Sequence, residues 1–258
     1  MNKKRHVFFW LCIACITGFL IGCEGRKKDR DEDEDKRGAQ STTTESAKSE
    51  KGETEMYGAE IQGGQVHNFS SDQEGIIAKG WSHDRTGKGS IGSWIIMKDP
   101  TAPSQPNVFA QISQDKTDYR FPVAIVDTST YTDLQLSVKF KTVKGLVDQG
   151  AGLVWRYKDI NNYYVVRANA LEDNVNFYKV VDGRRKQLEG AGTKVGTNEW
   201  HTLIIKMKGE TLECYFDGQR LFETADPTFP GPGKIGLWTK ADSYILFDDF
   251  TTKSLDTK

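Results

Sequence analysis

The side chains of this chain best suited to chemistry stand two apart along β-like runs, where alternation puts both members of a pair on one face. If Leu153 and Trp155 face a core, Val154 and Arg156 face away from it. The same parity groups Arg167 with Asn169, Asn176 with Tyr178, and Trp238 with Lys240 as partners on one open face. A mixed aromatic, amide and cationic surface of this kind suits a sugar. An aromatic ring covers the C–H face of the pyranose, while Asn, Arg and Tyr make directional hydrogen bonds to its hydroxyls. The expected ligand-binding set is therefore Arg156, Arg167, Asn169, Asn176, Tyr178, Trp238 and Lys240, with a carbohydrate as partner. The competing assignment is core or edge packing for Trp155, Trp200 and Trp238, and a carboxylate-bonded cross-strand pair for Arg156 and Arg167.

The elements that must position these residues are strands. From Phe69 onwards, short apolar runs rich in β-branched and aromatic residues are broken by Gly, Asp and Asn, the pattern of an all-β fold. Strands are expected at 93–97, 108–111, 133–140, 151–157, 163–169, 174–180, 200–207, 211–216, 234–239 and 244–250. Leu134, Leu136, Val138 and Phe140 alternate with polar residues, so that strand buries one face only. Turns are expected at Lys158–Asn162, Glu172–Asn174, Val181–Gly183 and Phe216–Gly218, where Asp, Asn and Gly tolerate positive φ. Roughly ten strands in one domain pack as two sheets or close as a barrel, and two sheets are commoner at this length.

Several of these runs resemble a known superfamily. Gly150–Arg156, Asn162–Ala170, Trp200–Leu203, Phe216–Gly218, Gly236–Thr239 and Phe247–Phe250 look like the concanavalin A-like lectin/glucanase superfamily. Within it the chain is most similar to bacterial laminin-G-like domains and to the 3-keto-disaccharide hydrolase family. The resemblance covers Phe69 to Thr252 and implies an all-β jelly-roll sandwich of two antiparallel sheets with a concave face that often binds sugar.

Enzymatic chemistry needs acids and bases. Retaining glycosidases of this superfamily carry two carboxylates about 5–5.5 Å apart, on a Glu-x-Asp-x-x-Glu strand, and none of the expected strands has that spacing. Glu172-Asp173 falls in a turn and Asp248-Asp249 alternate to opposite faces. Hydrolysis or elimination of a 3-keto-glycoside remains a second function, because proton abstraction beside a ketone needs only one carboxylate or His together with a metal or cationic stabiliser. His67, His83 and His201 are dispersed, and His201 reads as a surface strand residue. Jelly rolls of the superfamily often hold calcium near the closing strand, so the resemblance makes Asp242, Asp248 and Asp249 candidate ligands. A third class of function is a structural envelope protein.

The N-terminus speaks to location. Lys3, Lys4 and Arg5 precede an apolar run of roughly 15 residues, in the range of a signal peptide and short of a membrane span. Leu20-Ile21-Gly22-Cys23 resembles the lipobox of bacterial lipoproteins, which implies cleavage after residue 22 and acylation of Cys23. The expected organisation is a leader at 1–22, a lipidated charged tether at 23–55 and one domain at 56–258. Glu24, rather than Asp, favours the outer membrane by the same resemblance. The tether is rich in charge, Ser and Thr and cannot bury a core. The expected location is thus the bacterial cell envelope, lipid-anchored.

Composition excludes other classes. The chain holds 35 Lys and Arg against 36 Asp and Glu, with no basic stripe, which disfavours nucleic acid as a partner. Cys12 and Cys15 lie in the expected leader and Cys23 at the lipid site, leaving Cys214 as a small buried hydrophobe with no disulfide partner.

Overall fold

The computed structural model describes Ile61 and residues 63–256. The expected leader, Cys23, the tether and the start of the domain at Met56 lie outside the described residues. Fifteen strands follow in order: β1 (Gln65–His67), β2 (Trp81–Gly87), β3 (Trp94–Lys98), β4 (Asn107–Gln111), β5 (Arg120–Val126), β6 (Leu134–Lys144), β7 (Gly150–Asp159) and β8 (Asn162–Asn169). They continue with β9 (Asn174–Val181), β10 (Arg184–Gly192), β11 (Trp200–Lys208), β12 (Thr211–Phe216), β13 (Gln219–Ala225), β14 (Lys234–Thr239) and β15 (Tyr244–Ser254). No helix occurs among the described residues.

The strands form two antiparallel sheets, as a jelly-roll sandwich requires. One runs β13-β12-β11-β6-β15-β4-β3, with β1 also paired to β15, and the other runs β10-β9-β8-β7-β14-β5-β2. The hairpins turn where the sequence places φ-tolerant residues. Asp173, Asp182 and Asp217 take φ near +50°, and Gly183 and Gly218 follow two of them with positive φ.

Alternation divides the seven-stranded sheet into two unlike faces. Leu153, Trp155, Tyr164, Val166, Phe177 and Leu237 face the other sheet and join Leu136, Val138, Phe140, Leu203, Ile205 and Phe247 in the main core. Trp155 stacks on Phe177 at 5.6 Å and packs on Tyr164 at 5.5 Å. Each fully buried large apolar side chain of this kind contributes about 1.5–3 kcal/mol. Cys214 belongs to this core, and burial pushes its thiol well above the ordinary range, so it behaves as a hydrophobe.

The outer face of the same sheet is also buried. Phe121, Val123, Ile125, Val154, Tyr163, Val165, Tyr178, Val180 and Trp238 form a second apolar cluster there. Sheet faces turned to solvent are normally polar, so something covers this one. The covering layer is the polar constellation described next.

Candidate functional site

Strand register assembles the site. Trp238 pairs with Gly152, Gly152 with Arg167, Arg167 with Asn176, and Asn176 with Gly190, giving one row across β14, β7, β8, β9 and β10. Directly paired residues share a face, so Trp238, Arg167 and Asn176 stand side by side while two glycines leave room between and beyond them. Gly190 leaves room there for the Asn176 amide, whose Oδ1 occupies the space a Cβ would take. In the row above, Gly150 pairs with Asn169 and Asn169 with Asn174.

Side-chain hydrogen bonds and ion pairs link these residues. Arg167 donates from Nη1 to Asn174 Oδ1 at 2.6 Å and from Nη2 to Glu172 Oε2 at 2.7 Å and Tyr178 Oη at 2.9 Å. Asn176 Nδ2 donates to Tyr178 Oη at 3.1 Å. Asp148 accepts from Asn169 Nδ2 at 3.1 Å and pairs with Lys240 Nζ at 3.2 Å, and Lys240 also reaches Asp118 at 3.4 Å. The Arg185 guanidinium lies over the rings of Tyr178, Phe121 and Trp238, at 4.3, 4.8 and 5.8 Å. An arginine on an aromatic face is attracted by the ring quadrupole, which is how a charged layer comes to roof the apolar cluster.

The carboxyls of the site are driven in opposite directions. Burial raises Asp148 above the ordinary carboxyl range, and the neighbouring charges of Lys240 and Arg167 only partly offset it. Burial also works to raise Glu172, but the charge and hydrogen bond of Arg167 prevail and hold it below the ordinary range. Glu172 keeps 35% of its side-chain surface exposed and Asp118 70%, whereas Lys240 shows 7% and Asp148 1%. The solvent-facing rim is therefore Glu172, Asp118 and Arg185, and Arg167 lies beneath it.

Six of the seven expected ligand-binding residues meet here: Arg167, Asn169, Asn176, Tyr178, Trp238 and Lys240. Two corrections apply. The face expected to be open is buried, with Arg167, Asn169 and Trp238 showing no exposed surface and Asn176, Tyr178 and Lys240 at most 6%, so the Trp238 ring supports Arg185 and does not lie open to a sugar. Arg156 is elsewhere, because β7 bulges between Trp155 and Asp159, Arg156 takes φ +46°, and strand alternation ends there. Its guanidinium donates to the carbonyls of Thr132, Phe229 and Gly209 and pairs with Asp133 at 3.4 Å. Gly233 permits the bulge, since a Cβ there would collide with the Arg156 backbone.

The candidate calcium ligands do not converge. Asp242 accepts three backbone N–H groups, from Leu146, Val147 and Asp148, and so closes the loop before β7. Asp248 accepts from the backbone of Ser104 and Asp249, and Asp249 bonds the Ser104 hydroxyl and Lys139 Nζ. Oxygens already aimed at by N–H donors and an ammonium do not suit a cation. Among the described residues no three His, Cys, Asp or Glu side chains are grouped as a metal site. His201 also departs from expectation. It is buried at 7% exposure, stacked on Phe216 and bonded through Nδ1 to Asp217 at 2.7 Å.

Sequence reasoning omitted Asp148, Glu172, Asn174, Asp118 and Arg185 from the site. Asp148 and Asp118 lie in connections, Glu172 in the turn before β9, and Arg185 in a strand too polar to stand out. The one available signal was the density of Asp, Glu and Asn in the loops flanking the expected pairs.

The two-sheet architecture is shared with solved structures of low sequence identity. A carbohydrate-binding module of Bacillus subtilis, CBM66, superposes with a TM-score of 0.55 at 20% identity, covering 71% of this chain and 99% of that one. The exoplasmic/lumenal domain of VIP36, solved in a Ca2+/Man-bound form, gives 0.52 at 12% identity, over 75% and 93% of the two chains. A levanase of Bacillus subtilis is 28% identical over 117 residues, 44% of this chain but 17% of the levanase, so the likeness concerns a small part of that protein. A sequence model of the 3-keto-alpha-glucoside-1,2-lyase-like domain matches residues 72–253. The chain belongs to that family.

Proposed function

We propose that this chain binds carbohydrate on the outer face of the seven-stranded sheet, at the row running from Lys240 and Asp148 through Arg167 to Asn176, Glu172 and Arg185. The observation that carries the reading is the wiring of Arg167. Its guanidinium donates to three side chains, Glu172, Asn174 and Tyr178. Such partners can be exchanged for sugar hydroxyls without breaking the sheet, and ion-flanked hydroxyl bonds are the stronger kind. Glu172 and Asp118 offer acceptors, Lys240 and Arg185 donors, and the aromatic layer fixes the position of Arg185.

Levan-type fructans and mannosides are the first ligands to titrate, given the names of the levanase and of the Man-bound VIP36 domain. Calorimetry on the full chain should give binding that falls at least tenfold in Glu172→Gln, about 1.4 kcal/mol. Binding unchanged in that variant would move the ligand elsewhere, and no binding to any glycan would favour a structural role in the envelope.

A second reading rests on the opposed carboxyls. A carboxyl with a raised pKa beside cations is the equipment for removing a proton next to a ketone and stabilising the resulting enolate. Asp148 would take the proton, with Lys240 and Arg167 nearby, and a 3-keto-glycoside would then lose its glycosidic oxygen by elimination. Release of the aglycone from a 3-keto-disaccharide, abolished in Asp148→Asn, supports this reading, and absence of turnover in the unmodified chain defeats it.

The N-terminal residues support export and lipidation at Cys23, with the domain held outside the cytoplasm at the outer membrane. Labelling with a radioactive fatty acid, lost in Cys23→Ala, tests the anchor, and membrane fractionation tests the site of attachment.

A further inference from the structure

At the β10 edge the inner face of the seven-stranded sheet changes character. Val175 and Phe177 lie in the main core, but the next residues of that face, Lys179 and Val181, pair across to Lys186 and Arg184. Hydrocarbon thus gives way to cations where the sandwich opens. The mouth is a cavity of about 710 Å³, lined by Lys179, Val181, Asp182, Arg184, Lys186 and Thr228. That volume lies within the range of small-molecule sites, about 300–1,000 Å³.

The charges in it are not equivalent. Lys179 Nζ is held by Asp226 Oδ2 and Thr228 Oγ1, both at 2.8 Å. Arg184 and Lys186 are exposed and make no ion pair among the described residues. Asp182, in the turn between β9 and β10, adds one carboxylate to the same wall. Two unpaired cations, a fixed ammonium, a hydroxyl and one acceptor form an asymmetric set. It fits a ligand that carries both an anionic group and hydroxyls better than a bare anion, which Asp182 would repel.

We infer that this cleft is a second binding site, for acidic carbohydrate: its carboxylate or sulfate group meets Arg184 and Lys186, and its hydroxyls meet Asp182 and Thr228. The cleft is on the opposite face of the sheet from the Arg167 row, so the two sites fail or succeed independently. Edge strands also carry basic residues simply to prevent strand-to-strand association, and the experiment separates that role from ligand binding.

The full chain is run in affinity electrophoresis against polygalacturonate and dextran sulfate, as carboxylated and sulfated sources, with dextran as the neutral control. Retardation is expected with one or both acidic polymers and not with dextran. It should weaken roughly tenfold between about 0.05 and 0.5 M NaCl, as the screening length shortens. The R184Q/K186Q double variant should lose roughly tenfold in affinity, equivalent to about 1.4 kcal/mol, while R184K/K186R retains binding. Equal retardation of R184Q/K186Q and the unmodified chain overturns the proposal, as does no retardation by either acidic polymer. Self-association of R184Q/K186Q with unaltered polymer binding assigns both cations to protecting the edge and overturns it as well.

Discussion

Arg156 and Arg167 are eleven positions apart on neighbouring strands, are both buried, and do opposite things. Arg156 donates to three backbone carbonyls from separate connections, Thr132, Gly209 and Phe229, and pairs with the Asp133 side chain at 3.4 Å. Arg167 donates to the side chains of Glu172, Asn174 and Tyr178, beside the Asp148–Lys240 pair. A guanidinium bonded mostly to main chain ties loops to the end of the sandwich and has little to trade. One bonded to side chains at a half-solvated rim can be re-partnered. Burial alone does not separate a structural charge from a functional one; the nature of its partners does.

The largest effect expected from this contrast is at Arg156. Removing one member of a buried ionic cluster typically costs about 3–5 kcal/mol, so Arg156→Met should lower stability to urea by that order. Arg156→Lys should recover only part, since an ammonium cannot serve three divergent carbonyls. Wild-type stability in Arg156→Met would erase the distinction. Arg167→Met should cost less, about 1–3 kcal/mol, because Glu172 can rehydrate, and should weaken glycan binding at least tenfold, about 1.4 kcal/mol. A variant with lowered stability and untouched affinity would make Arg167 a second Arg156.

The corner of the fold near Arg156 should also respond to acid. Tyr164 packs on Phe229 and bonds Asp226 at 2.6 Å. Burial works to raise Asp226, but hydrogen bonds from Lys179, Thr228 and Tyr164 prevail and lower it from 3.8 to about 2. A carboxyl whose folded pKa is depressed contributes stability above its unfolded pKa and loses it as pH falls through the folded value. The stability of the protein should therefore drop by about 2 kcal/mol between roughly pH 4 and pH 2 on this account, and Asp226→Asn should remove that part of the slope.

Much of this was legible from residue order. The ten apolar runs became strands within a few residues of their expected limits, because alternation of the kind in Leu134–Phe140 reports one buried face directly. The strands that escaped notice are β1, β2, β5, β10 and β13. Arg184–Gly192 and Gln219–Ala225 are edge strands with mostly exposed or half-exposed residues, so pairing with β9 and β12, not burial, makes them strands. Arg120–Val126 carries Pro122, which reads as a breaker, yet β14 pairs only with Val123–Ile125 and leaves the proline outside that ladder. At the site, parity correctly gathered the Arg167 row but misplaced Arg156, because a bulge depends on Gly233, a residue remote in the chain. Asp148 and Arg185 were invisible for the same reason: only cross-strand register brings a loop carboxylate to Lys240 or an edge arginine over Trp238.

The smallest expected effect tests the contrast by its sign. Asp148 is raised by burial, the reverse of Asp226, because Lys240 and Arg167 only partly offset the loss of water. The folded state then holds its proton more tightly than the unfolded state, so stability is greatest at low pH and falls as pH rises through the unfolded value near 3.8 and up to the folded pKa. Asp148→Asn should therefore flatten the stability profile on the alkaline side of pH 4, whereas Asp226→Asn flattens it on the acid side. Urea denaturation of the two variants across pH 2 to 8 measures both slopes. The same sign of change in both variants would mean that Asp148 is held by its cations as firmly as Asp226 is by Lys179. The Arg167 row would then be a second structural clamp, with no carboxyl poised to exchange partners or protons.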